Sequence, residues 1–173
     1  MNKITIIANH PILDVVTGEI FVEPAVTEEI IDGKKKPISV YKPMTIGGFL
    51  SRYVAEGIGM TPEKKFTCSL LGGKLYDHST SETYEEGTFS VTSDQLTMIK
   101  TILENIKFKN NDDTEKDVSW LKASILFLLD PETIQNEQEK EFFVSRYNKL
   151  NDKINKWNTA SKYFKLNEFK VNN

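Results

Sequence analysis

His10, His78 and Cys68 are the side chains of this 173-residue chain best suited to acid–base or nucleophilic chemistry, and they are the only histidines and the only cysteine it has. His10 stands in a turn beside Pro11, with Asp14 a few residues on. His78 follows Asp77 at the end of a helical pattern, where an imidazolium would favour the negative end of the helix dipole. Both read as surface or capping residues. A Cys68–His78 dyad matches no nucleophile spacing, and a lone cysteine on an apolar helix is more simply a core residue.

Ligand motifs fare no better. Asn110, Asp112 and Thr114 resemble the start of a calcium loop, but that pattern needs Gly at its sixth position and Glu at its twelfth, where this chain has Glu115 and Leu121. Gly47-Gly48 and Gly72-Gly73 follow no strand at Walker or dinucleotide spacing, so close helix packing or a local kink is their expected role. Lys34-Lys35-Lys36 forms a compact basic tip that is most simply solvated. Lys162-Tyr163-Phe164-Lys165 and Phe169-Lys170 interleave aromatics with charge, as a single-strand binder does and as a final amphipathic turn also does. No acid, base and nucleophile set can be assembled from two His and one Cys without invoking unpatterned carboxylates, so a small enzyme ranks last and no cofactor, metal or catalytic residue is expected.

Bulk character narrows the class. The net charge is -3, and Arg52 and Arg146 are the only arginines among 22 basic residues. Neither figure favours nucleic acid or an anionic membrane as partner, because bidentate guanidinium forks do most phosphate and base reading. One cysteine rules out an intramolecular disulfide. The N-terminal apolar run is too short for a signal h-region, and no segment nears the roughly 18 apolar residues of a membrane span.

The elements that would hold these residues change character at Pro43. Before it, Ile4 to Ala8 reads as a strand, Ile12 to Val16 and Glu19 to Glu23 flank Thr17-Gly18, and Thr27 to Ile31 and Pro37 to Tyr41 flank Asp32-Gly33 plus the lysines, as a second hairpin with a longer charged tip. After it, Ile46, Phe49, Leu50, Tyr53 and Val54 mark a helix between Thr45 and Gly57 or Gly59. Thr61-Pro62-Glu63 starts a second, carrying Phe66, Leu70, Leu71 and Leu75. Residues 77 to 87 read as a loop and Phe89 to Val91 as a short strand. Thr92 to Gln95 caps a helix with Leu96, Ile99, Leu103 and Ile106. Lys109 to Asp117 is a charged loop, and Val118 to Leu129 is apolar on most sides, as a central buried helix is. Asp130-Pro131-Glu132 restarts a helix at once.

That last segment carries the clearest pattern in the chain. Phe143, Tyr147, Leu150, Ile154 and Trp157 repeat at 4, 3, 4, 3 and fall on one side of a helix whose other side is polar apart from Val144. Such a seam needs a cover, either its own core or a partner. The earlier helices can cover one another, so these five residues are the expected partner-binding set, through a protein partner or self-association.

In overall character the chain resembles the small, mostly uncharacterised proteins of tailed bacteriophages. It is short, Lys- and Asn-rich, has one cysteine, and shows no targeting segment or enzyme motif. Thr45-Ile46-Gly47 opening a helix, Lys74-Leu75-Tyr76, and Val91-Thr92-Ser93-Asp94 leading into Ile99-Lys100 carry the likeness, between residues 38 and 130. The resemblance implies a phage context and no reaction.

The expectation is an α+β fold, with β hairpins in residues 1–42 followed by a helical bundle and a long amphipathic C-terminal helix. Residues 1–130 would form one domain, with helices over 44–130, and 131–173 a helical arm that is free or packed on that domain. The expected function is non-catalytic: a virion structural or assembly component of head, connector or tail. The alternatives are an inhibitor of a host defence or replication protein, and a nucleic-acid accessory protein. The place of action would be host cytoplasm or virion, without a signal peptide.

Overall fold

The computed structural model describes residues 3 to 160, with side chains described up to Leu150 apart from Tyr84. The chain mixes α and β, with strands dominating its start and helices the rest. Strand β1 (Ile4–Ile7) is followed by β2 (Leu13–Asp14) and β3 (Glu19–Ile20), then by β4 (Val22–Ile31) and β5 (Lys34–Pro43). Helices α1 (Ile46–Glu56), α2 (Pro62–Ser79) and α3 (Tyr84–Gly87) precede β6 (Thr88–Val91). Then come α4 (Ser93–Asn105), α5 (Ser119–Leu129), a 3-10 turn (Pro131–Thr133) and α6 (Glu137–Ala160).

Local chemistry explains most boundaries. Thr45 Oγ1 accepts from the Gly48 N–H at 3.0 Å to open α1, and Gly57, at φ 62°, ends it in the left-handed region. Pro62 starts α2. A reciprocal capping box opens α4: Gln95 N–H donates to Thr92 Oγ1 at 3.2 Å and Thr92 N–H to Gln95 Oε1 at 2.9 Å. Two expected boundaries are corrected. Residues 77 to 79 continue α2, and Tyr84–Gly87 makes one further helical turn, capped by Thr83, so the expected loop shrinks to its middle. Asp130-Pro131 gives only a 3-10 turn, and α6 begins after a break. Here Asn136 Oδ1 accepts from the Gln138 and Glu139 N–H groups at 3.0 and 3.1 Å.

Each sheet is two-stranded and antiparallel: β1 with β6, β2 with β3, β4 with β5. The first hairpin is tighter than its apolar runs suggest. Only Leu13↔Ile20 and Asp14↔Glu19 pair, and Asp14 Oδ1 holds the turn by accepting from Val16 N–H at 3.0 Å.

Two apolar cores result among the described residues. The larger joins Ile6, Leu50, Leu75, Ile99, Ile125 and their neighbours from β1, α1, α2, α4 and α5. The smaller joins Leu13, Val15, Ile20, Phe127, Phe143, Tyr147 and Leu150. Helix α5 lies between them, with Ile125 and Leu129 in the first and Phe127 in the second. It is therefore central, although Leu121 is only half-buried.

The paired glycines serve close packing. A Cβ on Gly47 would clash with Leu75 O, and one on Gly72 would lie 2.6 Å from Ser51 O, so α1 and the second half of α2 touch through backbone at two points. Close contact here leaves the rest of α2 outward. Leu71 and Leu75 are buried, while Phe66 and Leu70, expected to pack alongside them, are 74% and 56% exposed. Leu70 and Leu71 are adjacent and cannot both face α1.

Candidate functional site

The C-terminal stripe finds its cover at home for as far as its side chains are described. Phe143, Tyr147 and Leu150 are 8%, 6% and 2% exposed, inside the smaller core. Phe127 stacks on Phe143 and on Tyr147, with ring centroids 5.4 and 5.5 Å apart. The expectation that these three form a partner-binding face is therefore corrected: β2, β3 and α5 present an apolar surface that fills the seam. Ile154 and Trp157, and the basic aromatic tail from Lys162 to Lys170, lie outside the described side chains.

Beneath the stripe lies the most developed buried polar group. Leu13 N–H donates to Tyr147 Oη at 3.2 Å, Ser124 Oγ donates to Leu13 O at 3.1 Å, and the two hydroxyls are 2.6 Å apart. Because the Ser124 proton goes to Leu13 O, the Tyr147 proton goes to Ser124 Oγ, and the ring closes. Burial pushes the Tyr147 phenol up to about 12, against the smaller opposing effect of its hydrogen bonds to Ser124 and Leu13. The His10 ring meets Tyr147 edge-on at 5.7 Å, and its Nδ1–H donates to Pro11 O at 2.8 Å. Burial holds the His10 pKa below its ordinary value, the Pro11 bond opposing weakly. With both hydroxyls committed to backbone, this cluster ties α5 and α6 to β2 and has no spare donor to activate a substrate.

The other sequence candidates separate. Cys68 is fully buried, and burial raises its pKa despite the Lys64 charge, so the thiolate is disfavoured. His78 stacks on Phe89 at 4.9 Å, and its Nδ1–H donates to Glu86 O at 2.8 Å, which fixes α3 on the end of α2. Ten residues of helix put Cys68 and His78 about 15 Å apart along the axis, so no dyad forms. In the acidic loop, Asp112 Oδ1 accepts from Thr114 N–H at 3.2 Å, and Asn110 Nδ2 donates to Thr114 Oγ1 at 3.0 Å. The Thr114 hydroxyl, which donates to Asp112 Oδ1 at 2.5 Å, and then the Thr114 N–H hold the Asp112 carboxyl below its usual range, and they close a turn with oxygens that a calcium loop would direct at the ion. Among the described residues no three His, Cys, Asp or Glu side chains converge on a metal position. A cavity of about 360 Å³ lies between Phe108 and Lys122, bordered by Lys116 and Asp117, and neither histidine lines it.

The feature that sequence reading placed only approximately is the β4–β5 ribbon. Asp32 and Gly33 both take positive φ, 53° and 76°, so the chain turns in two residues and the ladder closes at Ile31↔Lys34. The lysines are consequently strand residues and not a tip, which corrects the expected longer turn. Their strand faces an acidic one: Lys35 of the triplet reaches Glu28 at 3.8 Å, and Lys42 further along reaches Glu23 at 3.1 Å. The first pair is solvent-exposed and adds little stability, while the second is only half-exposed.

Register then decides what the ribbon can offer. In a two-residue hairpin the closing pair is mutually hydrogen-bonded, and pairs alternate from there. Glu28↔Pro37, Pro24↔Tyr41 and Val22↔Pro43 are then pairs whose backbone groups point away from each other. Every proline of the ribbon sits where its missing N–H costs no ladder bond and removes a donor from an edge. The side chains divide the same way. Ala25, Thr27, Ile38 and Val40 face the body with partial or full burial, and Val40 is 4% exposed. On the other face Val26 and Ile30 are 70% and 72% exposed, flanked by the exposed Pro24 and Pro37.

Compared with protein-family models, curated proteins and solved structures, the chain matches none of them. No helix among the described residues is long and apolar enough to cross a membrane.

Proposed function

We propose that this protein works without catalysis, by protein–protein contact, with the outward face of the β4–β5 ribbon as its docking surface. One observation carries the reading. A ten-residue pair of strands holds Val26 and Ile30 in solvent outside both cores, although an isolated two-stranded ribbon gains nothing from exposed apolar side chains. Prolines blunt both edges, so contact through the face is favoured over strand addition. The helices that follow form the bundle that carries the ribbon, and the amphipathic C-terminal helix is fastened to the first hairpin, β2–β3, through Leu13.

The phage resemblance supports a virion or assembly component acting in host cytoplasm or particle. The test is fractionation of lysate from cells in which the protein is made from its native genome. Purified particles should contain the chain, and Val26→Ser with Ile30→Ser should reduce its incorporation without lowering its melting temperature. Exclusion from particles together with stoichiometric retention on one host protein would replace this reading with the inhibitor. Incorporation indifferent to the double substitution would remove the ribbon from it.

A further inference from the structure

We infer that the outer face of α2 pairs with α2 of a second copy, antiparallel and about a two-fold axis. This surface is separate from the ribbon and does not rest on the function proposed above. Phe66 and Leu70 stand 74% and 56% exposed on the side of α2 turned from α1, and Tyr76, on its border, is 60% exposed. The next position along the stripe is Gly73, where an added Cβ would meet nothing within 4 Å, so a neighbour can approach the backbone there. Large apolar side chains followed by a glycine form a helix face suited to another helix more than to water.

Charge selects a second copy as the occupant. Glu63 and Lys74 are both exposed and lie eleven residues apart, within about 20° of each other around the helix, so they border the same flank of the stripe. With about 1.5 Å rise per residue, they sit roughly 7 and 9 Å to opposite sides of the midpoint between Phe66 and Leu70. A two-fold axis through that midpoint, perpendicular to the helix, brings equal flanks together and reverses the chain direction. Glu63 then meets Lys74 of the other copy, twice, while Phe66 packs on Leu70 across the axis. Asp77 reaches towards the N-terminus of the facing helix, where negative charge is favoured. A parallel two-fold pairing would oppose opposite flanks at equal heights, so Glu63 and Lys74 would not meet. One helix per chain is a small interface, below about 1,200 Å², so the dimer should be reversible and form at about micromolar concentration or above.

Sedimentation velocity of the full chain across a concentration series tests this, with circular dichroism as the fold control for each variant. Wild type should pass from monomer to dimer, and Phe66→Ser with Leu70→Ser should remain monomeric while keeping its helical spectrum. Glu63→Lys and Lys74→Glu should each weaken self-association about tenfold, because each places like charges together twice. Mixing those two variants should restore dimerisation to near wild-type strength, since each contact then regains one Glu and one Lys. A wild-type monomer at all concentrations would overturn the inference. So would a dimer insensitive to Phe66→Ser with Leu70→Ser but lost with Val26→Ser and Ile30→Ser, which would assign association to the ribbon. A mixture no tighter than its separate components would overturn the antiparallel register.

Discussion

The hydroxyls of Tyr147 and Ser124 lie 2.6 Å apart in the interior and close a hydrogen-bonded ring through the backbone of Leu13. Residues 134 positions apart are joined in this way, so α6 is fastened to the first hairpin by polar geometry as well as apolar area. Removing one member leaves others buried without a partner. Tyr147→Phe should cost about 1–3 kcal/mol in urea unfolding, and Ser124→Ala a similar amount. The double variant should lose less than the sum, since both changes break one ring. Strict additivity would show that the two hydroxyls act independently.

Alkaline pH probes the same phenol. With the folded Tyr147 pKa near about 12 and the unfolded value near 10, the unfolded chain ionises first. The stabilisation is complete below about pH 10 and is lost as pH rises towards 12, a fall of about 2–3 kcal/mol for a side chain this buried. Spectrophotometric titration should show a late tyrosinate transition that disappears in Tyr147→Phe. Its persistence in that variant would assign the transition to another tyrosine.

Gly72 and Gly73 are neighbours with opposite expectations. Gly72→Ala drives a methyl to 2.6 Å from Ser51 O and Ala55 Cβ, both on the rigid α1, and should destabilise by about 1–3 kcal/mol as the helices separate. Gly73→Ala enters open space and should stabilise the monomer by up to about 1 kcal/mol through helix propensity. Thermal melts of the two variants at concentrations where the chain is monomeric check the contrast. Equal effects would mean that α1 and α2 do not meet through Gly72.

Much that depended on near neighbours was legible in the sequence, although the end of α2, the α3 turn and the closing of the β4–β5 ladder were not. Thr92 and Gln95 announce their helix because the capping box lies within four residues, and Asp32-Gly33 announces its turn because both positions must take positive φ. Pairings across the chain left no such mark: Ile6 lies against Phe89, and Leu13 against Tyr147. Periodicity showed that Phe143, Tyr147 and Leu150 needed a cover, but a one-dimensional pattern cannot distinguish the chain's own hairpin from another molecule. Phe66 and Leu70 were misplaced for the complementary reason. They read as core by type, whereas backbone contact at Gly47 and Gly72 turns them outward.

Packing along α5 should differ sharply over four residues. Ile125 is fully buried in the larger core, so Ile125→Ala should cost about 2–5 kcal/mol. Leu121, one turn earlier, is half-buried and touches that core from the side, so Leu121→Ala should cost less than half as much. The smaller core supplies the comparison. Phe143→Ala deletes a ring stacked on Phe127 and should destabilise by about 3 kcal/mol or more, as a core aromatic does. Denaturant midpoints of the three variants, at unchanged m-value, would rank Phe143 and Ile125 well below Leu121. If Phe143→Ala matched wild type instead, the start of α6 would not be held by its own domain, and the stripe would again be open to a partner.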